Sequence, residues 1–155
     1  CLFKNANSHK TMKGLASFGR SAKGMYFGLK LHLISDLKRQ ILSLKFTSAN
    51  IHDTKVVIPL SKDLTGIFVA DAGYVSKKLS REFYQENKRI LFTKPRNNMR
   101  VIMTEWQDAL YKTRAIVELN FRSLKMFYGL LTSLPRSADG YIANYIYSLL
   151  TYQIV

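Results

Sequence analysis

Between residues 25 and 36, MYFGLKLHLISD, apolar side chains fall at Phe27, Leu29, Leu31 and Leu33, with Tyr26, Gly28, Lys30, His32 and Ile34 between them. Alternation of this kind sends the two sets to opposite faces and predicts a half-buried β-strand. A polar turn over residues 36–40 leads to ILSLKFTSA at 41–49, a second run of β-formers, so the two read as a hairpin. A helix start follows at residues 50–53, with Asn50 or Asp53 as cap and a helix to about Leu60. IFVA at 67–70 is a short continuous apolar run, the pattern of a strand buried on both faces. Ser76 then caps a helix, SKKLSREFYQEN, in which Leu79 and Phe83 are four apart, and RILFTKP is another buried strand ended by Pro95. Strand, helix, strand predicts a parallel pair with a crossover helix. Residues 96–104 read as a basic loop. Residues 105–131 read as one long helix with Val117, Phe121, Leu124 and Tyr128 on one face, ended by Gly129 and Pro135. Residues 138–154 form a last, buried helix. Residues 1–24, rich in Ser, Gly and Lys, read as loop or extended chain. The order predicts a mixed sheet with helices on its faces.

Composition narrows the class. A chain of 155 residues, 47% of them apolar, is one domain with a real core. Twenty-four Lys and Arg against ten Asp and Glu give a net charge of +14, which points first to nucleic acid and second to an anionic membrane surface. The C-terminal apolar run, YIANYIYSLLTYQIV, is shorter than the roughly twenty residues a spanning helix needs. One cysteine, Cys1, excludes an internal disulfide and a cysteine metal site. No signal peptide is visible, and a start at Cys1 reads as a processed chain or a fragment.

With so few acids, each can be weighed. Asp36 and Asp63 belong to turns, Asp53 and Asp139 read as helix caps, and Glu82, Glu86, Glu105 and Asp108 read as solvated helix faces beside Lys or Arg. Two differ. Asp71 follows the buried run IFVA and precedes Ala-Gly-Tyr. The C-terminal ends of strands are where α/β sites form, although an Asp there can equally cap a turn. Glu118 lies between Val117 and Leu119, on a helical stripe shared with Arg114 and Lys125. On its own that is an ordinary ion pair at i, i+4. His9, His32 and His52 lack metal-ligand spacing. Phe18, Tyr26, Phe27 and Tyr74 read as packing residues.

Tyr111, Arg114, Glu118 and Lys125, spaced by three, four and seven residues, together resemble the Y-R-E-K signature of bacterial insertion-sequence DDE transposases. VADAGY at 69–74 is similar to the strand carrying that family's second catalytic Asp. GLKLHLISD, SANIHD at 48–53 and LPRSADGYIANYIYSLLTYQIV also match the family's order of elements, so the resemblance covers almost the whole chain. It implies an RNase H-like α/β fold and metal-dependent DNA strand cleavage and transfer. Asp71 and Glu118 would be catalytic metal ligands for a pair of Mg²⁺ or Mn²⁺ ions. Tyr111, Arg114 and Lys125 would support the Glu or contact DNA. It further implies transposon-end and target DNA as partners, a homodimer in the synaptic complex, no membrane, and a cytoplasmic, nucleoid-associated location. Lys77, Lys78, Lys94, Arg96 and Arg100 could line a DNA groove or be ordinary surface charge.

One element of the family pattern is missing. Its first catalytic Asp sits on a strand ahead of the hairpin, and residues 1–24 hold no Asp or Glu. Neither Asp36 nor Asp53 is a convincing substitute. The reading is therefore a single domain over 1–155, incomplete at its N-terminus, lacking its first strand and inactive alone. The alternatives are a non-catalytic basic nucleic-acid-binding domain, a metal-dependent nuclease of the same fold, and a basic interaction protein whose Tyr111 to Lys125 pattern is chance.

Overall fold

The computed structural model describes residues 10–21, 24–86, 88–95, 99–131 and 136–154. The hairpin forms as its alternation predicts. Strand β2 (Gly24–Ser35) pairs antiparallel with β3 (Ile41–Ser48), from Leu29 opposite Ser48 to Ser35 opposite Ile41. In the turn, the Asp36 carboxylate accepts from the backbone N–H of Lys38 and Gln40 at 2.9 and 2.8 Å. Arg39 there takes φ 71°, a costly conformation for a residue with a side chain. Its guanidinium accounts for the choice, because it donates to Asn120 and Ser123 at 3.1 and 2.8 Å and ties the turn to a later helix.

The basic N-terminal segment is not all loop. Residues 1–9 lie outside the described residues, but β1 (Ser17–Ser21) pairs antiparallel with the first part of β2, Ser17 opposite Gly28 and Ser21 opposite Gly24. A Cβ added at Gly19 would stand 2.6 Å from the Ala49 carbonyl oxygen, where β3 has just ended. Opposite edges of β2 would put such groups about 10 Å apart. So β1 and β3 follow one another along the same edge of β2. The glycine is needed at this crossing.

Helix α1 (Thr54–Leu60) leads to β4 (Ile67–Ala70), α2 (Lys77–Gln85) and β5 (Ile90–Thr93). β4 and β5 are parallel, Ile67 opposite Ile90, with α2 as the crossover. Ser76 caps α2 by accepting from the Leu79 N–H. Leu79, Phe83 and Leu91 make one core, with the Phe68 and Phe83 rings edge to face at 5.1 Å. Beside it the fully buried Arg89 donates to the Ser61 backbone and hydroxyl, lies over the Phe83 ring, and pairs with Glu86 at 2.6 Å. Glu86 is thus no simple solvated acid: a buried guanidinium needs a counter-charge.

The segment 105–131 is two helices, not one: α3 (Glu105–Lys112) and α4 (Ala115–Met126). At the break the N–H groups of Thr113, Arg114, Ile116 and Val117 each bond three residues back, and the Thr113 hydroxyl donates to the Leu110 carbonyl. Thr competes for backbone acceptors in this way and weakens a helix interior. Helix α5 (Ala138–Ile154) spans the predicted residues, but Ser137 accepts from the Gly140 N–H at its start, while Asp139 lies in the first turn. Nor is α5 buried. Leu149 joins Leu124 and Leu130 in a second core, whereas Tyr147 and Ile154 are exposed. Among the described residues, no helix is long and apolar enough to cross a membrane.

The described sheet is therefore in two pieces, β1-β2-β3 and β4-β5, each with its own core. No residue of β2 or β4 is fully buried, and Ile67 is 48% exposed. The expectation that β4 is covered on both faces fails for this reason.

Candidate functional site

Asp71 ends β4, as expected. Its carboxylate accepts from the Ala72 N–H at 2.7 Å and caps a short 3₁₀ turn, Ala72–Tyr74. The side chain is exposed, so the turn-cap role and access to a ligand coexist at this position. Tyr74 packs back onto the first core. Burial, then the nearby charges of Asp53 and Asp71, push its phenol up to about 12.

Asp53 does not cap α1 with its side chain. It pairs instead with Lys30 of β2 at 3.1 Å, and Lys30 also donates to the Ile51 carbonyl at 3.0 Å. The first half of β2 therefore sits beside the C-terminal end of β4, with Tyr74 between the two acids. Sequence reasoning missed Lys30. The signal was a lone cation inside an otherwise uncharged strand.

The Tyr111 to Lys125 set straddles the break between α3 and α4. Tyr111 lies on α3, and its ring takes two cations, Lys94 and Arg114, each 5.6 Å from the centroid. Arg114 is the N-cap residue of α4 and bonds Glu118 at 2.7 Å, with Glu118 60% exposed. Lys125 lies over Phe121 at 5.8 Å, outside the Tyr-Arg-Glu chain of contacts. The break matters here, because it sets Arg114 at the start of its own helix with Tyr111 behind it.

A cavity of about 1150 Å³ connects these pieces. Asp71, Tyr74 and Lys30 line one part of it, and Arg114, Val117, Phe121 and Lys125 line another. Glu118 does not line the cavity; its bonded partner Arg114 does. Of the other basic candidates, Lys77 and Lys78 begin α2 on the exposed side, with Lys78 3.8 Å from Glu82. Lys94 is engaged with Tyr111, Arg100 is exposed in irregular chain, and Arg96 lies outside the described residues.

The donor set can be tested against a divalent ion. Carboxylates are the right chemistry for Mg²⁺ or Mn²⁺. However, no group of three or more His, Cys, Asp or Glu among the described residues could hold a metal. Asp71 is turned to its own turn and Glu118 to Arg114. As they stand, the two acids do not make a metal site.

The family model described as a transposase DDE domain matches residues 1–137. Comparison with curated proteins and with solved structures gives no match.

Proposed function

Since the chain belongs to the transposase DDE domain family, we propose that it is the catalytic domain of an insertion-sequence DNA transposase, RNase H-like in fold, supplying two of three carboxylates. The observation that carries this is the convergence of the β4 end, bearing Asp71, and the α4 face, bearing Arg114 and Lys125, on one cavity, with Glu118 bonded to Arg114. A family of this kind acts on DNA, and a chain of net charge +14 suits that polymer.

Each residue has a distinct part in this reading. Asp71, fixed by the rigid end of β4, presents a carboxylate to solvent. Glu118 presents a second one, oriented by Arg114, which Tyr111 in turn steadies by its ring. Lys125 and Lys94 offer positive charge to a phosphate backbone near those acids. In a completed carboxylate set Asp71 and Glu118 would help to hold divalent ions, whose chemistry would be charge stabilisation at the reacting phosphate. With only Asp71 and Glu118, the chain binds DNA without cutting it.

The test is the product formed when a third carboxylate is supplied on an added strand and the chain is given transposon-end and target DNA with Mg²⁺ or Mn²⁺. Joined molecules support a transposase. Nicks without joining would make it a nuclease of related fold, and no reaction despite DNA binding would leave only a nucleic-acid-binding domain.

A further inference from the structure

The buried residues of α4 are Asn120 and Leu124, so half of its seat in the molecule is polar. Asn120 is fully buried. Its Oδ1 accepts from Arg39 Nε at 3.1 Å and from the Tyr152 hydroxyl at 2.7 Å, which takes both lone pairs. Its Nδ2 donates to the Arg39 carbonyl at 3.4 Å. Arg39 also donates to Ser123, and the Tyr152 hydroxyl lies 3.2 Å from the Arg39 carbonyl. One residue further along each chain segment, Gln153 accepts from the Ile41 N–H at 3.0 Å. Three elements therefore meet at one polar clamp: the turn between β2 and β3, the inner face of α4, and the end of α5.

Two features give this clamp a part beyond cohesion. First, Arg39 holds φ 71°, a conformation glycine takes without strain. An arginine there keeps a costly backbone together with a planar fork of donors in fixed geometry. Second, little else fixes the rotation of α4. Apolar burial is non-directional. The helix has no side-chain N-cap bond and begins at the break after α3, so α3 does not fix it either. Hydrogen bonds to Asn120 and Ser123 do. At 3.6 residues per turn these two stand about 160° and about 140° round the helix from Glu118. The clamp thus grips the back of the helix whose outer side carries Glu118 and its bonded partner Arg114.

Resting on the reading of Glu118 as one of the transposase carboxylates, we propose that Arg39 and Asn120 are positioning residues for it. Their clamp sets the rotation of α4, and with it the separation of Glu118 from Asp71 at the end of β4. They act through the helix, from its far side. A reacting group misplaced by about 1 Å loses about 100-fold in rate, so a clamp remote from the chemistry governs it.

The experiment uses the full chain with Cys1→Ser, spin-labelled through Asp71→Cys and Glu118→Cys. Electron paramagnetic resonance reads the distribution of label distances, and Tm is measured on the same samples. Arg39→Gly removes the fork and relieves the backbone. Asn120→Leu removes the amide at similar volume, and Asn120→Asp keeps both acceptor bonds. The expected result is a narrow distribution in the parent, a shifted or broadened one in Arg39→Gly and Asn120→Leu, and the parent's distribution in Asn120→Asp. Lowered Tm with unchanged distances would overturn the proposal, because the bonds would then serve cohesion alone. Equal disturbance by Asn120→Asp would overturn it too. Should Asn120→Leu fail to fold, Arg39→Gly carries the test, since that side chain is exposed and the substitution relieves strain. In the chain completed by an aspartate-bearing strand, with Asp71 and Glu118 intact, Asn120→Leu should lower kcat about 100-fold and leave KM for DNA unchanged. An unchanged kcat would overturn the proposal. Absence of cleavage in the completed parent would instead end the transposase reading, and the label distances, which involve neither DNA nor metal, would still test the clamp.

Discussion

At the residue scale, the β2 face beside the cavity couples a cation, an acid and a histidine. His32 bonds Thr47 through Nε2 at 2.8 Å. Burial holds its pKa below the ordinary 6.5, with Lys30 and Lys45 adding to the effect and Asp53 opposing it. A depressed folded pKa means that the unfolded chain binds the proton more readily as pH falls. The stability concerned is present above pH 6.5 and is lost below it. His32→Gln should therefore reduce the loss of stability between about pH 7.5 and 5.5, read from urea midpoints. An identical loss in both proteins would show that His32 is not held neutral. This environment was only partly legible in the sequence. Asp71, on a strand end, and the Arg114 and Glu118 pair, one helical turn apart, follow from local spacing. The Lys30 and Asp53 contact joins residues far apart in the chain, which periodicity cannot reveal. Likewise Glu86 looked like one more surface acid until Arg89 proved to be buried.

At the element scale, the strands and α2 were legible because alternation, turn residues and a serine cap all agree locally. Two elements were not. The helical stripe of Val117, Phe121 and Leu124 runs on smoothly from α3, so the pattern hides the break that Thr113 makes. β1 has no apolar alternation of its own, and its pairing rests on β2 and on the close approach at Gly19. That approach gives a sharp expectation. Gly19→Ala forces a methyl against the Ala49 backbone, a clash with an unyielding atom, and should destabilise the chain by about 1–3 kcal/mol. The same substitution should raise amide exchange in the segment of β2 that β1 pairs with, residues 24–28. Unchanged stability and exchange would mean that β1 does not share the β3 edge.

At the scale of the whole molecule, two small cores accompany a cavity whose lining carries opposed charge: Asp53 and Asp71 among Lys30, Arg114 and Lys125. The sequence foretold the class, mixed α/β, and the family's order of elements. That β2, β4 and α4 would border one cavity is a long-range property, visible only in three dimensions. The charge has its own consequence. Binding to duplex DNA should weaken steeply with salt, log affinity falling linearly with log salt by about 0.9 per phosphate neutralised. Arg114→Gln and Lys125→Gln should each lower that slope by about 1. A salt-independent affinity would remove nucleic acid as the partner.

The central claim is that Glu118 and Asp71 are two members of a carboxylate set that cuts DNA only when completed. Its most direct test is 3′-end cleavage of transposon-end DNA in Mg²⁺ or Mn²⁺, measured for the chain alone, for the chain supplied with an aspartate-bearing strand, and for the same pairing with Glu118→Gln. The account predicts no cleavage by the chain alone, cleavage after completion, and its abolition by Glu118→Gln. Specific cleavage by the chain alone, or completed cleavage undiminished by Glu118→Gln, would contradict it.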